Sequence, residues 1–223
     1  MLCDSGGMHV GIIGGTGPAG RGLATRLASA GIDVTLGSRD ATRAVAVAKE
    51  VNDRWLGRSL SIAGADNEGA SGADVVVVAT PWDSAIATVK ALREPLAGKV
   101  VISMANALVK EGREMLALIP PRGSVAAAVQ ATLPDSLVAA SFHHLPASEM
   151  ENLDSALVAD VLVCSDHRVA SDATLSLIDQ MPGLRPLDAG SLNQAAAIEA
   201  FTAVCITINI KHKVHSTIQM TGI

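Results

Sequence analysis

Three closely spaced glycines constrain the fold of this chain more than any other feature. The apolar stretch His9–Ile13 runs into Gly15, Gly17 and Gly20, which have the spacing G-x-G-x-x-G, and an amphipathic helix that stops at Gly31 follows. A strand, a glycine turn and a helix in this order are typical of the first βα unit of a dinucleotide-binding fold. The sequence therefore predicts an α/β protein, with a Rossmann-type doubly wound parallel sheet and a small C-terminal α/β extension.

The three glycines have separate expected roles. Gly15 lets the chain turn sharply, Gly17 has no side chain to keep a pyrophosphate away from the backbone, and Gly20 lets the helix pack closely on the strand. The free amides and the positive end of the helix dipole then face the anion.

Composition argues against several classes of protein. The 223 residues carry a formal net charge of -5 without a cluster of Lys and Arg, which argues against a nucleic-acid partner. No uncharged apolar run reaches the ~18 to 20 residues that a membrane span needs. Residues 1–7 have neither the basic start nor the apolar core of a signal peptide, and they are expected to form a short N-terminal extension.

The cysteines and histidines indicate a reduced, metal-free protein. Cys3, Cys164 and Cys205 are odd in number and far apart, so they are expected to be reduced thiols in a cytoplasm. The adjacent His143 and His144 point in different directions in any regular element, and no acidic residue or cysteine lies at ligand spacing. No metal is therefore expected.

Strands and helices alternate along most of the chain. After the first strand, the expected strands are 32–36, 59–63, 74–82, 99–103, 136–142, 161–164 and 184–187. After the first helix, the expected helices are 41–56, 83–93, 123–132, 169–180 and 193–209. A boundary near Ala147 is expected to separate a nucleotide-binding domain, 8–147, from a small C-terminal domain, 148–223. A single continuous sheet is the alternative.

The end of the second strand indicates which nucleotide is bound. Ser38 and Arg39 stand where NAD-binding folds usually have an acidic residue. A carboxylate would repel a 2′-phosphate, whereas a hydroxyl and a guanidinium match it, so the sequence favours NADP(H) over NAD(H). Arg43 is placed to close the same pocket. The alternative is that both arginines are solvated surface residues, and the neighbouring Asp40 argues against a firm preference.

Other candidate site residues follow later strands. Thr80, Trp82 and Asn106 lie at the carboxyl ends of strands, where ligands bind in open parallel sheets. Trp82 either packs at the start of a helix or forms a wall on the nicotinamide side of the cofactor. The chain has no tyrosine, which excludes the Tyr-Lys pair of short-chain dehydrogenases. An NADP(H) protein without an evident proton donor suits hydride transfer between two cofactors, which the protein aligns.

The sequence resembles the NADPH-dependent reductases of the 8-hydroxy-5-deazaflavin coenzyme F420. The resemblance runs from Met8 almost to the end of the chain. The motifs that carry it are GGTG at 14–17, GSR at 37–39, PW at 81–82, FHHLPA at 142–147 and GLRPLDAG at 183–190. The last of these is the most discriminating, since many unrelated enzymes share the glycine loop.

This resemblance implies a cytoplasmic homodimer that passes hydride reversibly, and without a metal, between C4 of NADP(H) and C5 of F420. Carried over by position, the resemblance implies contacts for each part of the two cofactors. The pyrophosphate would be held by Thr16, Gly17, Pro18 and Ala19, and the 2′-phosphate by Ser38, Arg39 and Arg43. The path to the nicotinamide would be lined by Trp82 and Ile86, and the deazaflavin cleft by Asn106, His143, Leu145 and Pro146. The C-terminal residues would complete that cleft and form a dimer interface. Two alternatives stay open: an NADPH-dependent reductase of an imine, a ketone or a flavin, and a non-catalytic NADP(H) sensor.

Overall fold

The computed structural model describes residues 7–223, so the expected extension at residues 1–7 lies almost entirely outside the described residues. Within this range the strands are β1 (His9–Ile13), β2 (Asp33–Ser38), β3 (Ile62–Asp66), β4 (Val75–Val78), β5 (Val100–Ser103), β6 (Leu108–Glu111), β7 (Glu114–Ala117), β8 (Leu137–Ala140), β9 (Ala159–Ser165) and β10 (Leu184–Asp188). The helices are α1 (Pro18–Ser29), α2 (Ala41–Arg54), α3 (Asn67–Ser71), α4 (Trp82–Ala91), α5 (Arg93–Leu96), α6 (Val125–Thr132), α7 (Ala147–Glu151), α8 (Arg168–Asp179) and α9 (Ala195–His212).

Eight of these strands form one sheet, in the order β10-β9-β8-β5-β4-β1-β2-β3. The six strands from β8 to β3 in this order run parallel to their neighbours, β9 is antiparallel to β8, and β10 is parallel to β9. The strand order reverses between β1 and β4, and open α/β sheets bind ligands at the carboxyl ends of the strands at such a point. The predicted Rossmann-type class is confirmed.

Strand β4 explains how both faces of the sheet are covered. Its four valines alternate between two cores, because successive side chains of a strand point to opposite faces. Val75 and Val77 pack in one hydrophobic cluster, with Leu23 and Leu27 of α1. Val76 and Val78 pack in another, to which α4 and α6 contribute. The result is a sheet between two layers of helices, which is why its central strands consist almost entirely of apolar residues.

Several elements differ from the expectation. The hairpin of β6 and β7 forms a separate antiparallel sheet that the sequence pattern did not predict. Gly112 is the first of its two loop residues, and its positive φ of 58° suits such a tight hairpin. Strand β3 continues to Asp66, three residues beyond its predicted end at Ala63, and the short helices α3 and α7 were also not predicted.

The C-terminal part of the chain continues the same sheet. Strand β9 pairs with β8 through Ala139 and Ala140, and β10 pairs with β9 along five residues, from Leu184 to Asp188. The strands on both sides of the predicted boundary at Ala147 therefore share one sheet, and the division into two domains stays a prediction. Within residues 7–223, no helix is both long enough and apolar enough to cross a membrane.

Candidate functional site

The glycine loop between β1 and α1 leaves its outer face open. A Cβ atom on Gly17 would have a single neighbour within 4 Å, the Gly14 oxygen at 3.9 Å, so the backbone there is accessible to a ligand. On Gly20 it would lie 2.6 Å from the Gly15 Cα, which shows that helix and loop touch at these two residues. The packing role predicted for Gly20 thus matches the geometry.

The turn uses two glycines in different ways. Gly14 has the left-handed conformation, with φ +70°, and a Cβ atom there would meet the Thr80 side chain at 2.6 Å. Gly15, which was expected to let the chain turn sharply, closes the turn: its N–H donates to the Ile12 oxygen at 3.1 Å, and a Cβ atom would lie 2.7 Å from that oxygen. The tight turn therefore leaves no room for a side chain at Gly15.

Helix α1 presents an uncapped N-terminus to this loop. Gly17 is its N-cap residue, Pro18 occupies the first turn, and neither a side-chain cap nor an acidic residue is present there. The first N–H groups of a helix have no partner within the helix, and its dipole is positive at this end. The arrangement is a ready site for a phosphate or pyrophosphate.

A second polar end of the site lies where β2 meets α2. Ser38 is the last residue of β2, and Arg39 and Arg43 follow it on the surface. Within residues 7–223, neither guanidinium forms an ion pair or a hydrogen bond with another residue. The Asp40 carboxylate accepts hydrogen bonds from Thr42 N at 2.9 Å and Arg43 N at 3.3 Å, so it caps α2. Asp40 is thus engaged by the helix, which leaves two free cations beside Ser38.

Both ends open into one cleft of about 540 Å³ at the carboxyl ends of β1, β2 and β4. The predicted residues that line it are Thr16, Gly17, Pro18, Ala19, Ser38, Arg39, Arg43, Thr80, Trp82 and Asn106. Three predicted residues, Gly15, Gly20 and Ile86, do not line it, and Ile86 is partly buried against a hydrophobic cluster. The structure thus brings most of the predicted nucleotide residues together, and their part in binding stays a prediction.

Several lining residues were not among the predicted ones. They include Asn67, Ser84, Thr88 and Leu108. Asn67 is the most informative, because its Oδ1 accepts a hydrogen bond from Gly14 N at 3.1 Å and so ties the glycine loop to the end of β3. Its position directly after a strand was the available signal, but the predicted strand ended too early to show it.

Two buried polar atoms in the cleft wall have no partner. Thr80 Oγ1 and Asn106 Oδ1 are both buried and form no hydrogen bond within residues 7–223. Burying a polar atom without a partner is costly, so these two atoms are unusual features of the cleft wall. The donors that a phosphorylated dinucleotide requires come from the helix N-terminus and the two arginines.

The histidine turn lies behind this wall and not in it. His143 and Leu145 are buried, Pro146 is half-buried, and none of them lines the cleft. The link between turn and cleft is Asn106, whose Nδ2 donates to the His143 oxygen at 3.1 Å. Phe142 has a positive φ of 65°, a strained conformation for a bulky residue.

Both histidines of this turn are neutral near pH 7. Burial lowers the pKa of His143 to about 3, the adjacent His144 adds to that shift, and the Met104 backbone opposes it. Burial also lowers the pKa of His144, whose Nε2 donates to the backbone oxygen of Asp160 at 2.7 Å. Neither ring therefore brings a positive charge to the site. Within residues 7–223, no group of three or more His, Cys, Asp or Glu side chains could hold a metal ion.

The family model described as "NADP oxidoreductase coenzyme F420-dependent" matches residues 9–107. The F420-dependent NADP reductase of Methanocaldococcus jannaschii is 35% identical over 215 residues, which cover 94% of this chain and 96% of that protein. The chain belongs to the F420-dependent NADP reductase family. The reductase of the same name from Methanothermobacter marburgensis is also 35% identical, over 94% of this chain and 96% of its own length.

Solved structures agree with this membership of the F420-dependent NADP reductase family. A structure from Arthrobacter sp. FB24, assigned to an F420-dependent NADP reductase, has a TM-score of 0.79 and 26% identity, and the match covers 96% of this chain and all of that one. The pyrroline carboxylate reductase of Plasmodium falciparum, solved with NADP bound, has a TM-score of 0.59 at 13% identity, over 92% of this chain and 66% of that one. The second match shows the fold alone.

Proposed function

We propose that this protein is an oxidoreductase that transfers hydride between NADP(H) and coenzyme F420. The observation that carries the proposal is the 35% identity to F420-dependent NADP reductases along 94% of the chain. The cleft supports it, since an open glycine loop, an uncapped helix N-terminus and two arginines line one surface at the point where the strand order of the sheet reverses.

Different residues of the cleft would bind different parts of NADP(H). The N-terminus of α1 and the open backbone at Gly17 would bind the pyrophosphate, and Ser38 with Arg39 and Arg43 would bind the 2′-phosphate. Thr80 follows β4 and Asn106 follows β5, on the opposite side of β1 from Ser38 and the two arginines. The nicotinamide half would be oriented there. When both are bound, NADPH supplies a hydride from C4 and F420 accepts it at C5.

The role of the protein in this reaction would be alignment. The histidines nearest the cleft are neutral and buried, so the chain would hold two rings in register and keep water away from them, without an imidazolium. Met104 and Ala105, which directly precede Asn106 and line the cleft, would supply apolar surface for this purpose. We propose that the deazaflavin enters at the β5 end of the cleft, beside Asn106, with the buried histidine turn behind that wall.

The test is anaerobic mixing of the purified protein with NADPH and oxidised F420. We expect rapid loss of the visible absorbance of the deazaflavin with NADPH, and slow or no loss with NADH or with FMN as acceptor. Tight NADPH binding without F420 reduction would overturn the proposal and favour a sensor or a reductase of another substrate.

Two glycine variants make this assay specific to the cleft. In Gly17→Val the side chain occupies the space expected for the pyrophosphate, so NADPH binding and turnover should both be lost. Gly57→Val is the matched control, because a Cβ atom at Gly57 meets nothing within 4 Å and the residue lies far from the loop. Equal activity of the two variants would contradict the assignment of the loop.

We also propose that the enzyme is a homodimer in the cytoplasm. Phe201, Val204 and Ile208 are 43%, 49% and 42% exposed on one face of α9, at the spacing of successive helical turns. An exposed apolar stripe of this kind is typical of an interface, and a second copy of the stripe is its simplest cover. The buried free thiols of Cys164 and Cys205 support a reducing compartment. Light scattering of wild type and Val204→Asp tests the dimer: the wild type should have twice the monomer mass, and the variant should dissociate.

A further inference from the structure

The histidine turn between β8 and α7 requires contacts with other elements to keep its conformation. Phe142, at its start, has a positive φ of 65°, and strain of this kind persists only where the surroundings fix the backbone. The backbone hydrogen bond across the turn, from Leu145 N to the Phe142 oxygen, is long at 3.4 Å. The ring nitrogens of His143 have no partner within residues 7–223. The turn therefore depends on its remaining side-chain contacts.

His144 supplies such a contact. Its ring is 5% exposed, and its Nε2 donates to the backbone oxygen of Asp160 at 2.7 Å. Its Nδ1 has no hydrogen-bond partner among the described residues, so this bond sets the orientation of the ring. Because Asp160 belongs to β9, the bond joins the turn to the central sheet.

The acceptor of this bond has a fixed position. Asp160 is 1% exposed, and its carboxylate accepts hydrogen bonds from Nε and Nη2 of Arg185 on β10, both at 2.7 Å. Its N–H donates to the Ile218 oxygen at 2.8 Å, and its carboxylate also accepts from the Met220 N–H. Strand β10 and the C-terminal residues thus hold Asp160 from two sides.

The other side of the turn contacts the cleft wall. The backbone oxygen of His143 accepts a hydrogen bond from Asn106 Nδ2 at 3.1 Å, and Asn106 lines the cleft with Met104 and Ala105. His144 does not line the cleft, so it acts on the site only through its neighbour in the turn. A continuous series of contacts therefore leads from β10 through β9 and the turn to the cleft wall.

We infer that His144 is a positioning residue for the hydride transfer: it holds the histidine turn against β9, and the turn holds the wall segment 104–106. This inference rests on the proposed function. A protein that works by aligning two rings is sensitive to small shifts, since a misplacement of about 1 Å can cost about 100-fold in rate. The glycine loop and the end of β2 belong to other elements, so NADPH affinity should not depend on His144.

The experiment compares wild type with two variants of His144. His144→Phe keeps a buried ring but has no donor, and its kcat for F420 reduction should fall about 10-fold, because the Asp160 oxygen loses its partner and the turn shifts. Its dissociation constant for NADPH should change less than about twofold. His144→Gln has an amide N–H that can reach the same oxygen, and its kcat should return to within about threefold of wild type.

Three results would overturn the inference: an unchanged kcat in His144→Phe, a loss of NADPH affinity equal to its loss in kcat, or a kcat in His144→Gln as low as in His144→Phe. His167→Phe is the matched control. It removes a ring whose Nε2 lies 3.0 Å from Gln130 Oε1, neither residue lines the cleft, and kcat should be unchanged.

Arg185→Lys tests the same series of contacts from its far end, and it serves where His144→Phe does not fold. The side chain is 45% exposed, and lysine keeps the positive charge beside Asp160 but cannot form both hydrogen bonds. Its kcat should fall about threefold with NADPH affinity unchanged. A kcat equal to that of wild type would contradict the inference.

Hydrogen exchange measured by mass spectrometry separates this inference from the proposed function, since it requires no F420. In His144→Phe, the backbone amides of residues 142–147 and 104–108 should exchange faster than in wild type, and those of the glycine loop, 14–20, should not. Faster exchange in 142–147 alone would show that the turn does not hold the wall, and the inference would be wrong. A wild type that does not reduce F420 would refute the proposed function and leave the exchange result interpretable.

Discussion

Replacing Arg39 or Arg43 with alanine should weaken binding of NADPH much more than binding of NADH. Both guanidinium groups line the cleft next to Ser38, and within residues 7–223 neither has an ion-pair partner that would compete for it. A hydrogen bond to a charged group contributes about 1.5–3 kcal/mol, and solvent exposure favours the lower end of that range. Since 1.4 kcal/mol changes a dissociation constant tenfold, each variant should lose about 10-fold in NADPH affinity.

Titration of each variant with NADPH and with NADH, at fixed ionic strength, measures this effect. NADH has no 2′-phosphate, so its dissociation constant should change less than about twofold, and the selectivity for NADPH should fall by about the full 10-fold. Arg168→Ala is the matched control, because its side chain is 92% exposed on α8, pairs with Asp172 and does not line the cleft. An equal loss for both nucleotides, or no loss for NADPH, would refute the assignment of the 2′-phosphate site.

Three other perturbations test the geometry. Gly20→Ala should lower both the melting temperature and the NADPH affinity, as measured by thermal unfolding and titration, because its Cβ would lie 2.6 Å from the Gly15 Cα. Asn67→Ala removes the acceptor of the Gly14 N–H and should weaken NADPH binding about 10-fold in a titration, with little change in the KM for F420. Burial raises the pKa of Glu199 from 4.5 to about 7, so between these values the folded protein binds a proton that the unfolded chain has lost. The free energy of unfolding should therefore fall by about 3 kcal/mol as the pH rises from 4.5 to about 7. Urea unfolding at pH 5 and pH 8 should show this fall in the wild type and not in Glu199→Gln.

The parts of the fold that the sequence predicted are those whose signal is local. The glycine spacing and the four valines of β4 have one structural interpretation each, because the turn needs residues without side chains and the buried strand needs apolar ones on both faces. Strand β3 was placed too short because its last residues, Gly64 to Asp66, have low strand propensity. They are held in the sheet by β2, where Ser38 pairs with Asp66, so the position of Asn67 depends on a neighbouring strand.

The histidine turn shows the same limit at the site. His143 and Leu145 follow a strand of the sheet, and the family resemblance implies that both line the deazaflavin cleft. Their burial depends on what packs around them: Leu145 lies in the main core with Met150 of α7, and His143 lies behind Asn106. Adjacency along a chain predicts that residues are near a site, whereas tertiary packing determines which of them face it.

The C-terminal helix is part of the structure that holds the cleft wall, although it is distant in sequence. Three side chains of α9 contact the segment between β6 and the start of α6, which begins two residues after Asn106. The contacts are Glu199 with the backbone N–H groups of Val125 and Ala126, at 2.8 and 3.0 Å, Thr207 with Met115 N at 2.9 Å, and Lys211 with Glu114 at 2.7 Å. Because these partners are 73 to 97 residues apart along the chain, no local pattern could have indicated them. The same helix bears the exposed apolar stripe of Phe201, Val204 and Ile208, so α9 both restrains the segment that follows Asn106 and presents the proposed dimer interface.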